Sequence, residues 1–178
     1  MDYILQTDNL CKKYKKNMAL DGLCMHVPKG AIYGFVGKNG AGKTTLIRAV
    51  CGLCAPTSGS YSLYGIQNTD SEIERIRKHM GAVVETPALT LDMTAEENLR
   101  QQYRILGLSS FDGIEELLNL VGLAHTGKKK VRAFSLGMKQ RLGIAMAMAG
   151  EPDFLVEYLP PGPKKKWVDY GKAVMVGI

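Results

Sequence analysis

A chain of 178 residues is long enough for one domain with a real core and short for two. With 46% apolar and 22% charged residues it has the balance of a soluble globular protein, and no apolar run approaches the length that crosses a bilayer. A net charge of +6 suits a phosphate-bearing partner, whether nucleotide, nucleic acid or anionic membrane surface, and does not choose among them.

The first residues lack a basic stretch followed by an apolar one, so no secretory signal is expected. Residues 3–8 and 22–27 read as short strands, and 31–36 as a stronger one with β-branched and aromatic members. A glycine-rich loop follows. Then Thr44 to Cys51 reads as a helix with Leu46, Ile47, Val50 and Cys51 on one apolar stripe. Cys51-Gly52-Leu53-Cys54 has redox or zinc-ligand spacing. Without a second such pair, and at the end of an apolar helix, it predicts two buried thiols in a reducing compartment. After a turn at Pro56-Thr57-Ser58-Gly59 come a strand at 60–64, a charged helix at 71–79 and a strand at 81–84. Thr94 and Glu97 have capping-box spacing, which predicts a helix over 95–106. Helices at 111–121 and 137–148 follow from Leu117, Leu118, Leu120 and Val121, and from Leu142, Ile144, Ala145 and Met148. Phe154-Leu155-Val156 opens a buried strand. This order predicts an α/β core with parallel strands and an inserted helical part.

The sharpest signal is Gly37-Lys38-Asn39-Gly40-Ala41-Gly42-Lys43-Thr44, set between a strand and a helix. Glycines at 37, 40 and 42 permit backbone angles that side chains obstruct, so successive N–H groups can converge on an anion. The helix that starts near Lys43 adds free N–H groups and the positive end of its dipole. Lys43 is expected to reach the β and γ phosphates, and Thr44 to offer a hydroxyl to Mg²⁺. Kinases, GTPases, helicases and transport ATPases all use such a loop, so it does not name a function by itself.

Three further segments carry a family resemblance from about residue 3 to Val156. Leu10-Cys11-Lys12-Lys13-Tyr14, Val83-Val84-Glu85-Thr86-Pro87 with Met93-Thr94-Ala95-Glu96-Glu97-Asn98-Leu99, and Phe134-Ser135-Leu136-Gly137-Met138-Lys139-Gln140-Arg141 occur in the order found in the ATP-binding subunits of ABC transporters. The last of these resembles the variant in bacitracin and lantibiotic exporters. The resemblance implies a P-loop NTPase (RecA-like) core with N-terminal antiparallel β strands and an inserted helical subdomain at about 88–140, incomplete at the C-terminus. It implies ATP and Mg²⁺ as cofactors, with Gly37 to Thr45 (Gly37, Lys38, Asn39, Gly40, Ala41, Gly42, Lys43, Thr44, Thr45) on the phosphates and Tyr14 stacked on adenine. Ser135 and Gly137 would face the nucleotide of a second subunit, and Thr44 and Glu85 the metal. Taken singly, Tyr14 also reads as a surface tyrosine, Ser135 as an ordinary helix cap and Glu85 as a solvated loop carboxylate. The implied partners are a membrane-spanning transporter subunit and a second ATP-binding subunit, at the cytoplasmic face of the membrane. No nucleic-acid partner is expected, since neither a second ATPase half nor a coiled-coil insertion is present.

Matching stops after Val156. Tyr158 and Leu159 stand where the family carries the metal-organising aspartate and the water-polarising glutamate, and only Pro160 agrees. Neither side chain can do that chemistry at neutral pH. Residues 157–178 therefore read as an aberrant tail, expected to derive from a shifted reading frame; reading the coding DNA in its other two frames tests this. Within the tail, Ala173 to Ile178 is apolar enough to pair as a strand. The expected outcome is an ATP-binding subunit of an exporter in which nucleotide binding is weakened or absent and hydrolysis negligible. The alternatives are a non-catalytic regulatory module and an ABC-type protein acting on nucleic acid or the ribosome.

Overall fold

The computed structural model describes residues 2–84, 86–159 and 170–177, with 158–159 and 170–177 as backbone alone. It divides into two compact units, Met1–Glu85 with Asp153–Ile178, and Thr86–Pro152.

In the first unit, β1 (Tyr3–Tyr14) and β2 (Asn17–Pro28) form an antiparallel hairpin whose turn uses Lys15 at φ 52°. Both strands are longer than the 3–8 and 22–27 that apolar alternation predicts. Asn9, at φ 45°, sits at a register shift between Thr7 and Leu10. That irregularity breaks the two-residue period, and the outer ends carry exposed residues such as Lys13 and Tyr14. The strand β4 (Ser58–Leu63) pairs with the other edge of β1, and β5 (Ile66–Gln67) completes an antiparallel sheet ordered β2-β1-β4-β5.

The second sheet of this unit holds β3 (Ile32–Lys38), β6 (Met80–Val83), β7 (Phe154–Leu159) and β8 (Tyr170–Gly177), in the order β3-β8-β7-β6. The expected parallel core is met in part. Strands β6 and β7 pair parallel, and β3 runs in their direction, but β8 lies antiparallel between β3 and β7. The tail strand thus begins at Tyr170, ahead of the expected 173, and separates two strands that parallel pairing would have joined.

Helix α1 (Lys43–Val50) fills the space between backbone layers. Its Leu46, Ile47 and Val50 are fully buried with Ile4, Leu5, Val27, Leu63, Phe154 and Val156. Its C-terminal carbonyls are satisfied by side chains from elsewhere in the chain. The Tyr61 hydroxyl donates to the Ala49 carbonyl at 2.8 Å, and Arg77 Nε donates to the Val50 carbonyl at 3.1 Å. A cation at this end also suits the helix dipole. Arg77 comes from α2 (Ile73–Arg77), much shorter than the 71–79 expected. Asp70 accepts the Glu72 N–H at 2.8 Å, which holds the approach to α2 in a turn. On β3, Tyr33 and Phe35 face the core while Ile32 and Val36 point outward, 79% and 57% exposed.

The second unit packs α3 (Ala95–Leu106), α4 (Ile114–Leu120) and α5 (Leu136–Met148) around Leu99, Tyr103, Ile114, Leu118, Leu142 and Ala145. The α3 boundaries are those the sequence predicts. Thr94 Oγ1 accepts the Glu97 N–H at 3.1 Å, and Glu97 accepts the Thr94 N–H at 2.6 Å. Helix α4 starts at Ile114 rather than 111. Gly113 precedes it at φ 84°, and Ser110 Oγ accepts the Asp112 N–H at 3.0 Å, so residues 110–113 form a turn.

Candidate functional site

Strand β3 delivers the chain at Lys38, and α1 takes it up at Lys43. Between them, Gly40 and Gly42 adopt φ 83° and 81°, the left-handed region that favours glycine. At Gly42 space adds to angle: a Cβ there would lie 2.1 Å from the Ala19 carbonyl oxygen of β2. The loop is held at its base by the Ala41 N–H, which donates to the Lys38 carbonyl at 3.1 Å.

No side chain caps the N-terminus of α1. The N–H groups of its first turn have no partner within the helix, so they point at whatever sits in the loop, with the positive end of the dipole behind them. Lys43 is buried, 4% exposed, and its ammonium donates to the Gly37 and Lys38 carbonyls at 2.6 and 2.7 Å. A lysine ammonium has three donors, so one N–H is left for an oxygen placed in the cradle. A glycine cradle, an uncapped helix start and a fixed ammonium offer donors and positive charge of the kind phosphate oxygens need. They fit the triphosphate that the sequence predicts. Thr44 and Thr45 follow in the first turn, both half-buried. The Thr44 hydroxyl would hold Mg²⁺ with water and phosphate oxygens, which is the usual manner of this ion. Glu85 lies outside the described residues. Among the described residues no group of three or more His, Cys, Asp or Glu side chains gathers to hold a metal.

Tyr14, at the end of β1, belongs to the same unit and is 45% exposed. Lys12 Nζ stands 5.1 Å from its ring centroid. The neighbouring Cys54 and burial push the Tyr14 phenol above its ordinary value, against an opposing pull from Arg48 and Thr45. Cys54 Sγ lies 4.0 Å from the Thr45 carbonyl. The motif around Tyr14 names neither Lys12 nor Cys54 as its neighbours. The signal for Lys12 was available, since residues two apart in a strand share a face.

Cys51 and Cys54 are half-buried rather than buried, because the helix ends at Val50 and the chain turns out toward the surface. Burial still pushes the Cys51 thiol up to about 11. They gather no second cysteine pair: Cys11 and Cys24 lie at the β1–β2 irregularity, where Asn9 N–H donates to Cys24 Sγ at 3.3 Å.

On β7, Phe154 and Val156 are buried in the core, so Leu155 and Glu157 alternate to the opposite face. Desolvation raises the Glu157 carboxyl above its ordinary range. The side chains of Tyr158 and Leu159 lie outside the described residues.

In the second unit, Ser135 caps α5: its Oγ accepts the Met138 N–H at 3.3 Å. Ser135, Leu136 and Gly137 are exposed, with Leu136 at 73%. The helix start is therefore open on its outer side.

Comparison with known proteins adds to this geometry. Residues 20–156 match the family described as ABC transporter. The chain is 44% identical to the bacitracin transport ATP-binding protein BcrA of Bacillus licheniformis, over 88% of this chain and 51% of that protein. It is 39% identical to the lantibiotic transport ATP-binding protein SrtF of Streptococcus pyogenes, over 86% of this chain and 65% of that one. Among solved structures, cbiO1 from Clostridium perfringens, part of the ABC transporter complex cbiONQ, superposes with a TM-score of 0.72 at 24% identity, covering 93% of this chain and 68% of that one. The ATP-binding subunit of another ABC transporter gives 0.68 at 28% identity, over 86% and 65%. The chain spans about half the length of the bacitracin relative and about two-thirds that of the lantibiotic one.

Proposed function

The chain belongs to the ABC transporter family, and from that premise we propose that it is the ATP-binding part of an exporter for peptide- or antibiotic-like cargo. The observation that carries the proposal is the phosphate cradle, with Lys43 held at 2.6 and 2.7 Å from two loop carbonyls and one donor to spare. The names of the bacitracin and lantibiotic relatives support the cargo class. Gly37 to Thr45 hold the triphosphate and Tyr14 stacks on adenine. Thr44 and Glu85 attend Mg²⁺, which neutralises charge on the phosphate oxygens when bound. Ser135 and Gly137 offer the open start of α5 to the nucleotide of a second ATP-binding subunit, by the same dipole and N–H chemistry.

No helix of the described residues is long and apolar enough to cross a membrane. In this reading the path for cargo belongs to a membrane-spanning partner, and this chain works at the cytoplasmic face. Hydrolysis is the weak step. The family match ends at residue 156, and the next positions supply Tyr158 and Leu159 in place of the family's aspartate and glutamate. Glu157, on the strand face opposite the core, occupies neither of those two positions, and desolvation raises its carboxyl above the ordinary range. The chain accordingly binds Mg·ATP without turning it over. Phosphate release measured with saturating Mg·ATP tests this. Release at the level of a protein-free blank is expected. Turnover that Lys43→Ala abolishes would contradict the non-hydrolytic part.

A further inference from the structure

Lys12 has a place in this site that the phosphate and base residues do not account for. Its ammonium makes two contacts at once. It stands 5.1 Å from the centre of the Tyr14 ring, within cation–π range, and donates to the Ala55 carbonyl at 2.6 Å. Ala55 lies just beyond the C-terminus of α1. Two further ties run beside it: the Thr57 N–H donates to the Cys11 carbonyl at 2.8 Å, and the Lys13 N–H donates to the Thr57 side-chain Oγ1 at 2.9 Å. The end of β1 that carries Tyr14 is thus fastened to the segment that follows the phosphate helix. The ring itself is 45% exposed.

An exposed tyrosine ring keeps rotamer freedom that a stacking base must remove, and the contact of the Tyr14 phenol with Cys54 restrains only its hydroxyl end. A cation fixed over one face removes part of that freedom. Because Lys12 is itself anchored on Ala55, it ties the ring to the segment after α1, and a planar partner would stack on the face that Lys12 does not cover. We infer that Lys12 is a positioning residue for the nucleotide base: it clamps Tyr14 between its ammonium and the incoming purine, and links that stack to the phosphate helix through Ala55. The inference rests on the nucleotide reading above, with Tyr14 as the stacking ring.

The test separates base from phosphate. Calorimetric titrations of the full chain with Mg·ATP and with Mg·tripolyphosphate, which has no base, are compared for wild type, Lys12→Met and Lys12→Arg. Lys12→Met is expected to weaken ATP binding about two- to five-fold and leave tripolyphosphate unchanged. Lys12→Arg, which keeps a cation able to stack on the ring, restores ATP binding. In a Tyr14→Ala background, Lys12→Met adds nothing further. Equal weakening of both ligands would show that Lys12 acts through charge or fold, and overturns the inference while leaving the nucleotide reading intact. Unchanged or tighter ATP binding in Lys12→Met overturns it as well, since Lys12 would then be idle or masking the ring. A wild-type chain that binds neither ligand removes the nucleotide reading, and the inference with it.

Discussion

Gly42→Ala examines the frame of the phosphate loop more directly than any change to a charged residue. Gly42 precedes α1 at φ 81° and ψ 1°. Holding a residue with a Cβ in this left-handed conformation costs about 1–2 kcal/mol. The new Cβ would also lie 2.1 Å from the Ala19 carbonyl oxygen and 2.9 Å from Leu20 Cδ2. The leucine can turn aside, but the carbonyl belongs to β2 and moves only with its strand. Forcing an extra carbon into packed surroundings adds about 1–3 kcal/mol. The two contributions together give about 2–5 kcal/mol, a large part of the 5–15 kcal/mol typical of a folded domain. Gly40 supplies the control. It has nearly the same backbone, φ 83°, but a Cβ there meets nothing within 4 Å. Gly40→Ala is therefore expected to cost only the conformational part, about 1–2 kcal/mol. Urea unfolding followed by far-ultraviolet circular dichroism compares the two. With equal slopes, the Gly42→Ala midpoint should fall below that of Gly40→Ala by roughly 1 M. Equal midpoints would refute the reasoning, because they would mean that the loop does not close against β2 as described.

Other expectations are simpler. Thr94→Ala removes one half of the α3 capping box and should cost about 1 kcal/mol, read as a fall in Tm of a few degrees, with Thr94→Ser close to wild type. Under a thiol-alkylating reagent at pH 8, peptide mapping by mass spectrometry should find exposed Cys24 modified first. Cys51, raised to about 11 by burial, should be modified last; the reverse order contradicts the described burial. Glu157→Gln should raise stability at pH 7. A carboxyl whose pKa is raised by desolvation binds its proton more tightly folded than unfolded, so its penalty grows as pH rises above the ordinary carboxylate range. The gain in Tm should therefore shrink as pH falls toward 4, and a gain independent of pH would contradict the desolvation argument.

Local chemistry was legible in the sequence and long-range ties were not. The Thr94–Glu97 spacing gave α3 its true ends because both partners of the cap lie within one turn. The strand–glycine loop–helix order around Gly37 to Lys43 was equally local. By contrast, β1 and β2 run well past their apolar alternation, because the shift at Asn9 interrupts that period. The expected charged helix at 71–79 shrank to α2, where Arg77 serves a different element by reaching the Val50 carbonyl of α1. Nothing within a dozen residues of Arg77 announces that role. The position of β8 between β3 and β7 was also hidden. Apolar composition suggests that a segment can pair, but not which strands it will part. In the candidate site, the residues named by the phosphate pattern were visible at once. The contact of Lys12 with Ala55 spans 43 positions, beyond the reach of any local pattern.

The central claim is that the cradle around Lys43 binds a nucleoside triphosphate. Its most direct test is an equilibrium titration of the 178-residue chain with Mg·ATP beside the same titration of Lys43→Ala. Losing a charge-assisted donor to the phosphates should weaken binding roughly ten- to a hundred-fold, against saturable binding by the wild-type chain. Wild-type protein that shows no saturable binding, or a variant that binds as tightly as wild type, would contradict the claim.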